Sequence, residues 1–311
     1  MKQYIGKRIL QAIGVIFAIS LLTFFILNIM PGNPVAMMLG EMADVDTIAR
    51  VTHEMGLDRP IVVQYVDWLT SMFHGDFGIS YFQNRPVLDI MIPAFYVTVR
   101  LALLAYVMAV IVGVTMGVVA AVNHGKWQDQ IIMSIAVLGI SAPVFWLAII
   151  LQIFLCVKLD LFPLSGIDSF YNFILPAIAL GARYAASIAR ITRTSMLEVI
   201  HQDYIRTAEA KGLKKWTVMI KHALHNALIP IITVSGAQLG DILTGSILIE
   251  SVFAMPGLGK MLLDAINTRD LPIVQGGVMY IAFICVVVYL LVDVLYAAVD
   301  PRIRLGKEAE E

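Results

Sequence analysis

The sequence is poor in charged residues and in cysteine, and both shortages restrict what the protein can be. Among its 311 residues, 14% are charged and 59% are hydrophobic, whereas soluble domains carry about 25% charged and about 45–50% apolar residues. This balance excludes an ordinary water-soluble domain. The two cysteines, Cys156 and Cys285, both lie in long apolar runs. There they act as small apolar residues, and they provide neither a disulfide framework nor a metal cluster.

The chain also lacks the side-chain constellations from which enzymes are built. No paired carboxylates, activated nucleophile or helical zinc motif stands out, and a solvated basic face explains His222 and His225. The segment from Gly257 to Lys260 superficially suggests a phosphate-binding loop, but it lacks the four-residue spacer between glycines and the following Ser or Thr. We therefore expect no catalytic residue, metal site, bound cofactor, nucleic-acid partner or nucleotide hydrolysis by this chain.

Long apolar runs dominate what is present. A hydrocarbon core of about 30 Å needs roughly 20 apolar residues per helix, and backbone amides in lipid must be hydrogen-bonded within the protein. The sequence therefore predicts an all-α, polytopic membrane protein with six transmembrane helices. The predicted spans are 9–30, 97–122, 131–157, 173–191, 228–253 and 274–299. The first run is too long for the apolar part of a signal peptide, so it is expected to remain as an anchor.

Basic residues are unevenly distributed between the loops. Fourteen of them lie in the N-terminal, second, fourth and C-terminal segments if Arg190, at the inner end of the fourth span, is included, and six lie in the three opposite loops. The positive-inside rule then places both termini in the cytosol. The predicted organisation is a cytosolic N-terminus with the first span (1–30), an extracytoplasmic loop subdomain (31–96), a five-helix core (97–299) and a cytosolic tail (300–311). The core contains one sizeable inward segment, 192–227.

The long outer loop contains a predicted helix. Asp58 and Pro60 are typical of a helix start, apolar residues including Tyr65 and Trp68 follow at helical spacing, and the Gly-Asp-Phe-Gly sequence at 75–78 ends it. Two interpretations stay open. The loop is either a lid that rests on the bundle, or a docking element for something delivered from outside.

Few polar residues interrupt the spans. Gln238 and Asp241 lie on one side of the fifth span and are the best candidates for the wall of a polar pathway. The alternative is that Asp241 is paired with a donor on a neighbouring helix. The glycine pairs Gly113/Gly117 and Gly236/Gly240 predict close helix packing, within the subunit or in a dimer. No inverted repeat or pair of broken helices indicates a secondary transporter.

The inward segment carries the most specific motif. Residues 204–212 read Tyr-Ile-Arg-Thr-Ala-Glu-Ala-Lys-Gly, and 226–230 read Asn-Ala-Leu-Ile-Pro. Here the chain resembles the inner-membrane permeases of binding-protein-dependent ABC importers, and most of all the B-type subunit of the dipeptide, oligopeptide and nickel class. Further motifs in the family's order lie at 30–34, 56–60, 75–78, 85–87, 142–146, 163–166, 250–259 and 300–302. In place of the general Glu-Ala-Ala signature stand Arg206, Thr207 and Ala208, so the family's glutamate role cannot be assigned to Glu209.

This resemblance implies a type I ABC importer permease fold and a set of partners. A coupling helix would dock on an ATPase subunit through Arg206, Thr207, Ala208, Glu209, Ala210, Lys211 and Gly212. A second, non-identical permease, two ATPases that bind ATP and Mg²⁺, an extracytoplasmic solute-binding protein and membrane lipid would complete the system in a bacterial inner membrane. Trp68 and Phe77 are the expected contacts for the binding protein.

The expected cargo is a di- or oligopeptide. The alternative within transport is nickel or a metal chelate carried by the same machinery. A stand-alone secondary transporter or channel, a membrane enzyme and a purely structural bundle are weaker alternatives, because none of them explains the inward motif.

Overall fold

The computed structural model describes residues 2–29, 34–39, 43–244 and 246–299, and helices account for most of them. Within this part of the chain the only β-type contact is an isolated bridge between Ile79 and Pro86, so the all-α prediction is confirmed. The predicted tail at 300–311, its motif at 300–302 and most of the motif at 30–34 lie outside the described residues. The helices are α1 Lys2–Ile29, α2 Pro34–Leu39, α3 Val45–Glu54, α4 Ile61–Phe73, α5 Val87–Val122, α6 Trp127–Ser141, α7 Val144–Leu151, α8 Tyr171–Ile200, α9 Asp203–Ala210, α10 Lys215–Thr217, α11 His225–Thr244, α12 Ile247–Val252, α13 Leu258–Thr268 and α14 Leu271–Val299. Two π-helical turns, Gln152–Lys158 and Val218–Leu224, extend α7 and α10.

Five helices of the described chain are long and apolar enough to cross a membrane, and a sixth span is counted if one bent pair forms a single crossing. The predicted six spans are consistent with this finding. The bent pair is Trp127–Ser141 followed by Val144–Lys158, whose axes meet at 108°.

The third span is therefore not the straight helix that its hydropathy predicts. Pro143 has no backbone N–H and disfavours a helical conformation in the residue before it, and Ala142 is accordingly extended, with ψ of 134°. The prediction of one helix over 131–157 was wrong at this point. The Ser-Ala-Pro sequence at 141–143 is the signal that could have predicted the break.

Three other helix ends differ from the predicted spans. Helix α5 begins ten residues earlier than predicted, at Val87, and α8 continues past 191 to Ile200. The fifth span is interrupted, because α11 ends at Thr244 and α12 begins at Ile247. Hydropathy locates the part of a helix that lipid can cover, whereas the helix itself extends into polar surroundings. The first part of the segment 192–227 is thus a continuation of a spanning helix.

The chain divides into two compact units. The first unit is Lys2–Val97 with Pro256–Val287, and the second is Thr98–Met255 with the described residues from Val288 onward. Helices α5 and α14 contribute residues to both. The domain boundaries proposed from the sequence stay a prediction.

In the first unit, the amphipathic helix α4 lies against α1. The Ser20 and Tyr65 hydroxyls are 2.8 Å apart in a buried hydrogen bond. The Phe24 ring lies 5.3 Å from the ring of Tyr65 and 5.4 Å from that of Trp68. Helix α4 thus rests on α1, and this packing is consistent with the interpretation of the outer loop as a lid.

In the second unit, α5 and α8 approach closely at two glycines. A Cβ on Gly113 would lie 2.7 Å from the Ala185 carbonyl oxygen, and one on Gly117 would lie 2.5 Å from Thr192 Cβ. Only glycine fits such a backbone approach. The pair Gly113/Gly117 therefore serves packing within the subunit rather than a dimer.

Candidate functional site

The predicted coupling residues form a short helix with a glycine stop. Helix α9 covers Asp203–Ala210, and Lys211 caps it by donating its backbone N–H to the Thr207 carbonyl. Gly212 follows with φ of +75°, and an added Cβ would meet nothing within 4 Å. Its left-handed backbone, rather than shortage of space, makes glycine the favoured residue here.

One face of α9 belongs to the subunit's own core. Ile205 and Ala208 are buried together with Met196, Val218 and Met219. The small size of Ala208 therefore serves internal packing instead of an exterior contact. The predicted coupling residues that are exposed are Arg206, Thr207, Glu209, Ala210, Lys211 and Gly212.

The coupling residues predicted from the sequence did not include the apolar residues beside this helix. Tyr204 is 46% exposed, Leu213 42% and Trp216 62%. Large apolar side chains that are exposed next to a charged helix are typical of a protein contact surface. Trp216 could have been identified from the sequence, because it is an aromatic residue within a basic run.

An ion pair with a buried carboxylate joins the start of α6 to the last two turns of α8. The Arg193 guanidinium donates to both carboxylate oxygens of Asp129, at 2.6 and 2.8 Å. The Gly125 backbone N–H donates to the same carboxylate at 3.0 Å, and His124 Nδ1 lies 3.2 Å from it. Such a bidentate pair fixes orientation as well as charge. Nothing in the sequence indicated this contact, because its partners are 64 positions apart.

The two predicted pathway residues have different surroundings. Gln238 is buried, and its Oε1 has no hydrogen-bond partner among the described residues. Asp241 is exposed and accepts a hydrogen bond of 3.2 Å from the Tyr289 hydroxyl. A Cβ on Gly240 would lie 2.5 Å from Tyr289 Cζ, so this glycine makes room for the ring. Asp241 thus has a donor on a neighbouring helix and still presents its carboxylate at the surface.

A second carboxylate is fully buried in the same unit. Glu250 is 0% exposed and accepts a hydrogen bond of 2.7 Å from Thr98. The sequence placed Glu250 near the end of the fifth span, whereas it lies in the separate helix α12. Its burial could not be read from the pattern.

Trp68 and Phe77, the two predicted contacts for a binding protein, line one cavity of the first unit. The cavity has a volume of about 310 Å³ and also includes the charged residues Arg59, Asp67 and Asp76 in its lining. Both aromatic residues are half-buried. The structure therefore brings the two together in a pocket that combines rings and charges.

Beside this cavity, Asp270 organises the loop that follows Phe77. Its buried carboxylate accepts hydrogen bonds from the Ser80 hydroxyl at 2.5 Å and from the Tyr81 backbone N–H at 3.2 Å. Burial, together with the Asp270 charge, raises the pKa of Tyr81 to about 12. These contacts hold the loop 78–82 against the segment that begins α14.

In the described part of the chain, no three His, Cys, Asp or Glu residues are grouped so that they could hold a metal ion.

Comparison with known families finds two matches, which together cover most of the chain. Residues 113–305 match the inner membrane component of binding-protein-dependent transport systems, and residues 1–102 match the N-terminal membrane component of such systems. The chain belongs to this family. It is thus an ABC importer permease of the peptide/nickel group, an integral membrane transport subunit and not an enzyme.

Individual relatives are similar over nearly their whole length. A putative peptide transport system permease protein of Brucella abortus (strain 2308) is 43% identical over 312 residues, which cover 98% of this chain and 99% of the relative. The glutathione transport system permease protein GsiC of Escherichia coli (strain K12) is 41% identical over 304 residues, with the same coverage.

Solved structures share the permease fold. A chain of the methionine ABC transporter MetNI in an inward-facing conformation aligns with a TM-score of 0.56 at 17% identity, covering 68% of this chain and 97% of that one. A chain of an amino acid ABC transporter aligns with a TM-score of 0.52 at 18% identity, covering 69% and 94%. The expectation of an ABC permease fold is confirmed.

Proposed function

We propose that this permease forms one half of the translocation pathway of an ATP-driven importer for di- and oligopeptides. The observation that carries the proposal is the similarity over 98% of the chain to permeases named for peptide and for glutathione, itself a tripeptide. Nickel or a metal chelate is less favoured, because these similar permeases are named for peptide and for glutathione.

The proposed complex contains a second, non-identical permease, two ATPase subunits that bind ATP and Mg²⁺, and an extracytoplasmic solute-binding protein. The absence of a phosphate-binding loop from the sequence supports an external source of energy. We propose that the ATPase docks on the exposed face of α9 and on the neighbouring side chains of Tyr204, Leu213 and Trp216. Because Gly212 ends α9, it sets the direction in which the chain leaves this surface.

We further propose that the chain lies in the bacterial inner membrane with both termini in the cytosol. The excess of basic residues in the segments on that side supports this orientation. The first unit would then present its cavity to the outside.

The binding protein is proposed to contact that cavity. Rings and charges around a 310 Å³ space suit an inserted side chain. Cysteine in place of Trp68 or Phe77 should crosslink to a cysteine-bearing binding protein during ATP turnover. Phe73 is the matched control, since it is 83% exposed on the same helix as Trp68 and does not line the cavity. Equal crosslinking at all three positions, or none at Trp68 and Phe77, would refute the contact.

The import function is tested in proteoliposomes that contain all the proposed subunits, with the binding protein outside and ATP inside. We expect uptake of a labelled di- or tripeptide that unlabelled peptides compete away and nickel salts do not. Competition by nickel alone would assign the transporter to metal. Uptake of neither solute would contradict the proposed function.

A further inference from the structure

Two opposite charges are exposed in the second unit on helices that cross the membrane. Arg183 lies close to the midpoint of α8, and Asp241 lies in α11. Both are exposed on the isolated subunit, and the two helices that carry them pack directly against each other. Charged residues on membrane-crossing helices face a water-filled cavity, a solute or another protein rather than lipid tails.

One hydrogen bond holds the Asp241 carboxylate in place, and the carboxylate can accept further hydrogen bonds. The Tyr289 hydroxyl, held against Gly240, donates to Oδ1. A carboxylate has about four lone-pair sites, so Oδ2 and part of Oδ1 are available to a second donor.

Arg183 and Asp241 do not neutralise each other. Within the described residues, neither forms an ion pair shorter than 4.0 Å with any group. A guanidinium is always charged and matches a carboxylate with two parallel hydrogen bonds. An exposed carboxylate with a free oxygen matches an ammonium group.

We propose that Arg183 and Asp241 form a transit site that binds the two charged ends of a short peptide, the carboxylate at Arg183 and the ammonium at Asp241. The inference rests on the proposed function and adds a place in the pathway where the cargo is held. Tyr289 is a positioning residue that orients Asp241, and Gly240 makes that position possible. The alternative is that the second permease covers these two charges, which would then hold the subunits together instead of binding the peptide.

The experiment uses the complete transporter in proteoliposomes with Asp241→Asn, with Arg183→Gln and with the control Asp264→Asn. Asp264 is 58% exposed at its side chain, pairs with Lys260 and lies in α13, outside the spanning helices. Three forms of one peptide are compared: unblocked, N-acetylated and C-amidated, chosen so that the binding protein still binds each. Import rate, ATP hydrolysed per imported peptide and co-purification of the second permease are measured.

We expect Asp241→Asn to lower the import rate of the unblocked peptide about tenfold, as removal of a charged hydrogen-bond partner does. Import of the N-acetylated peptide, which has no ammonium, should be unchanged by this variant. Arg183→Gln should show the same selectivity for the C-amidated peptide. ATP hydrolysed per imported unblocked peptide should rise in both, while Asp264→Asn behaves as the wild type.

Three results would overturn the transit site. They are wild-type import by both variants, an equal loss for blocked and unblocked peptides, and loss of the second permease from the purified complex. The last would mean that the charges hold the subunits together. In each case the wild-type transporter still imports peptide, so the proposed function stands. A wild-type transporter that imports no peptide would overturn both.

Discussion

Gly212 shows at the scale of one residue that a glycine can be required for its backbone conformation alone. Its φ is +75° and the space around its missing Cβ is open. An L-residue in the left-handed region costs about 1–2 kcal/mol. The conformation matters for function because it ends the helix on which the ATPase is proposed to dock.

Replacing Gly212 by alanine should therefore uncouple transport from ATP hydrolysis. Gly125 is the matched control, since it also has φ of +75° and no atom within 4 Å of an added Cβ, but lies between α5 and α6. Both Gly→Ala variants should lose about 1–2 kcal/mol of stability. Only Gly212→Ala should lower peptide-stimulated ATP hydrolysis in the reconstituted complex. Equal losses of hydrolysis in both variants would show that general destabilisation, not coupling, is responsible.

Tyr81 provides a pH-dependent test of the packing around Asp270. Its pKa in the folded chain is about 12, against an ordinary value of about 10, because burial and the Asp270 charge disfavour the phenolate. The raised pKa of Tyr81 contributes its full amount to the free energy of unfolding below about pH 10, and this contribution is lost as the pH rises towards 12. Over that window the free energy of unfolding should fall by roughly 1–3 kcal/mol more in the wild type than in Tyr81→Phe, which has no phenol to titrate.

Chemical denaturation of the two proteins at several pH values measures this difference. Both carry the same other tyrosines and lysines, so their titration cancels in the comparison. Parallel curves for wild type and Tyr81→Phe would contradict the assigned environment of Tyr81.

At the scale of helices, hydropathy predicted the apolar crossings well and the helix ends poorly. The difference has a physical reason: lipid selects apolar side chains, while a helix ends where its backbone hydrogen bonds stop. Pro143 interrupts the third span even though the run of apolar residues continues through it. The start of α5 at Val87 was missed because Asp89 and Pro93 lie in its first turns.

Contacts between helices could be predicted only where a short motif implies them. Gly113 and Gly117 indicated a close approach, and the structure supplied α8 as the partner. The Asp129–Arg193 pair and the Tyr289–Asp241 hydrogen bond join distant positions, and no spacing in the sequence encodes them. The proposed coupling segment was predicted from its motif, but the motif did not reveal that Ala208 is buried in the core of the subunit.

The packing of α5 on α8 yields a prediction at this scale. In Gly117→Ala the new methyl group would lie 2.5 Å from Thr192 Cβ and 2.6 Å from the Ala189 carbonyl oxygen. The backbone oxygen cannot rotate away, so the helices must separate, which costs about 1–3 kcal/mol. Gly14→Ala in α1 is the control, because nothing lies within 4 Å of its added Cβ.

Thermal unfolding of the purified chain in detergent measures both variants. Gly117→Ala should unfold at a lower temperature than the wild type. Gly14→Ala should be unchanged or slightly more stable, since alanine favours a helix over glycine by about 1 kcal/mol. A neutral Gly117→Ala would mean that the two helices are less closely packed than described.

For the whole molecule, the decisive question is where the energy for transport comes from. Accumulating a solute about 1,000-fold requires about 4.1 kcal/mol per molecule. The sequence contains no nucleotide-binding motif. The spanning charges, Arg183 and Asp241, suit the holding of a zwitterion, yet holding a solute does not move it uphill.

The isolated chain in vesicles should therefore neither accumulate peptide nor respond to an imposed proton or sodium gradient. Addition of the second permease, the ATPases, the binding protein and ATP should produce accumulation, and withdrawal of ATP should stop it. The control for assembly is the complete complex with the Gly212→Ala variant in vesicles. It contains every subunit, and only the proposed coupling segment is defective. Ion-driven uptake by this chain alone would make it a secondary transporter, since a gradient across the membrane would then supply the free energy that we assign to partner subunits.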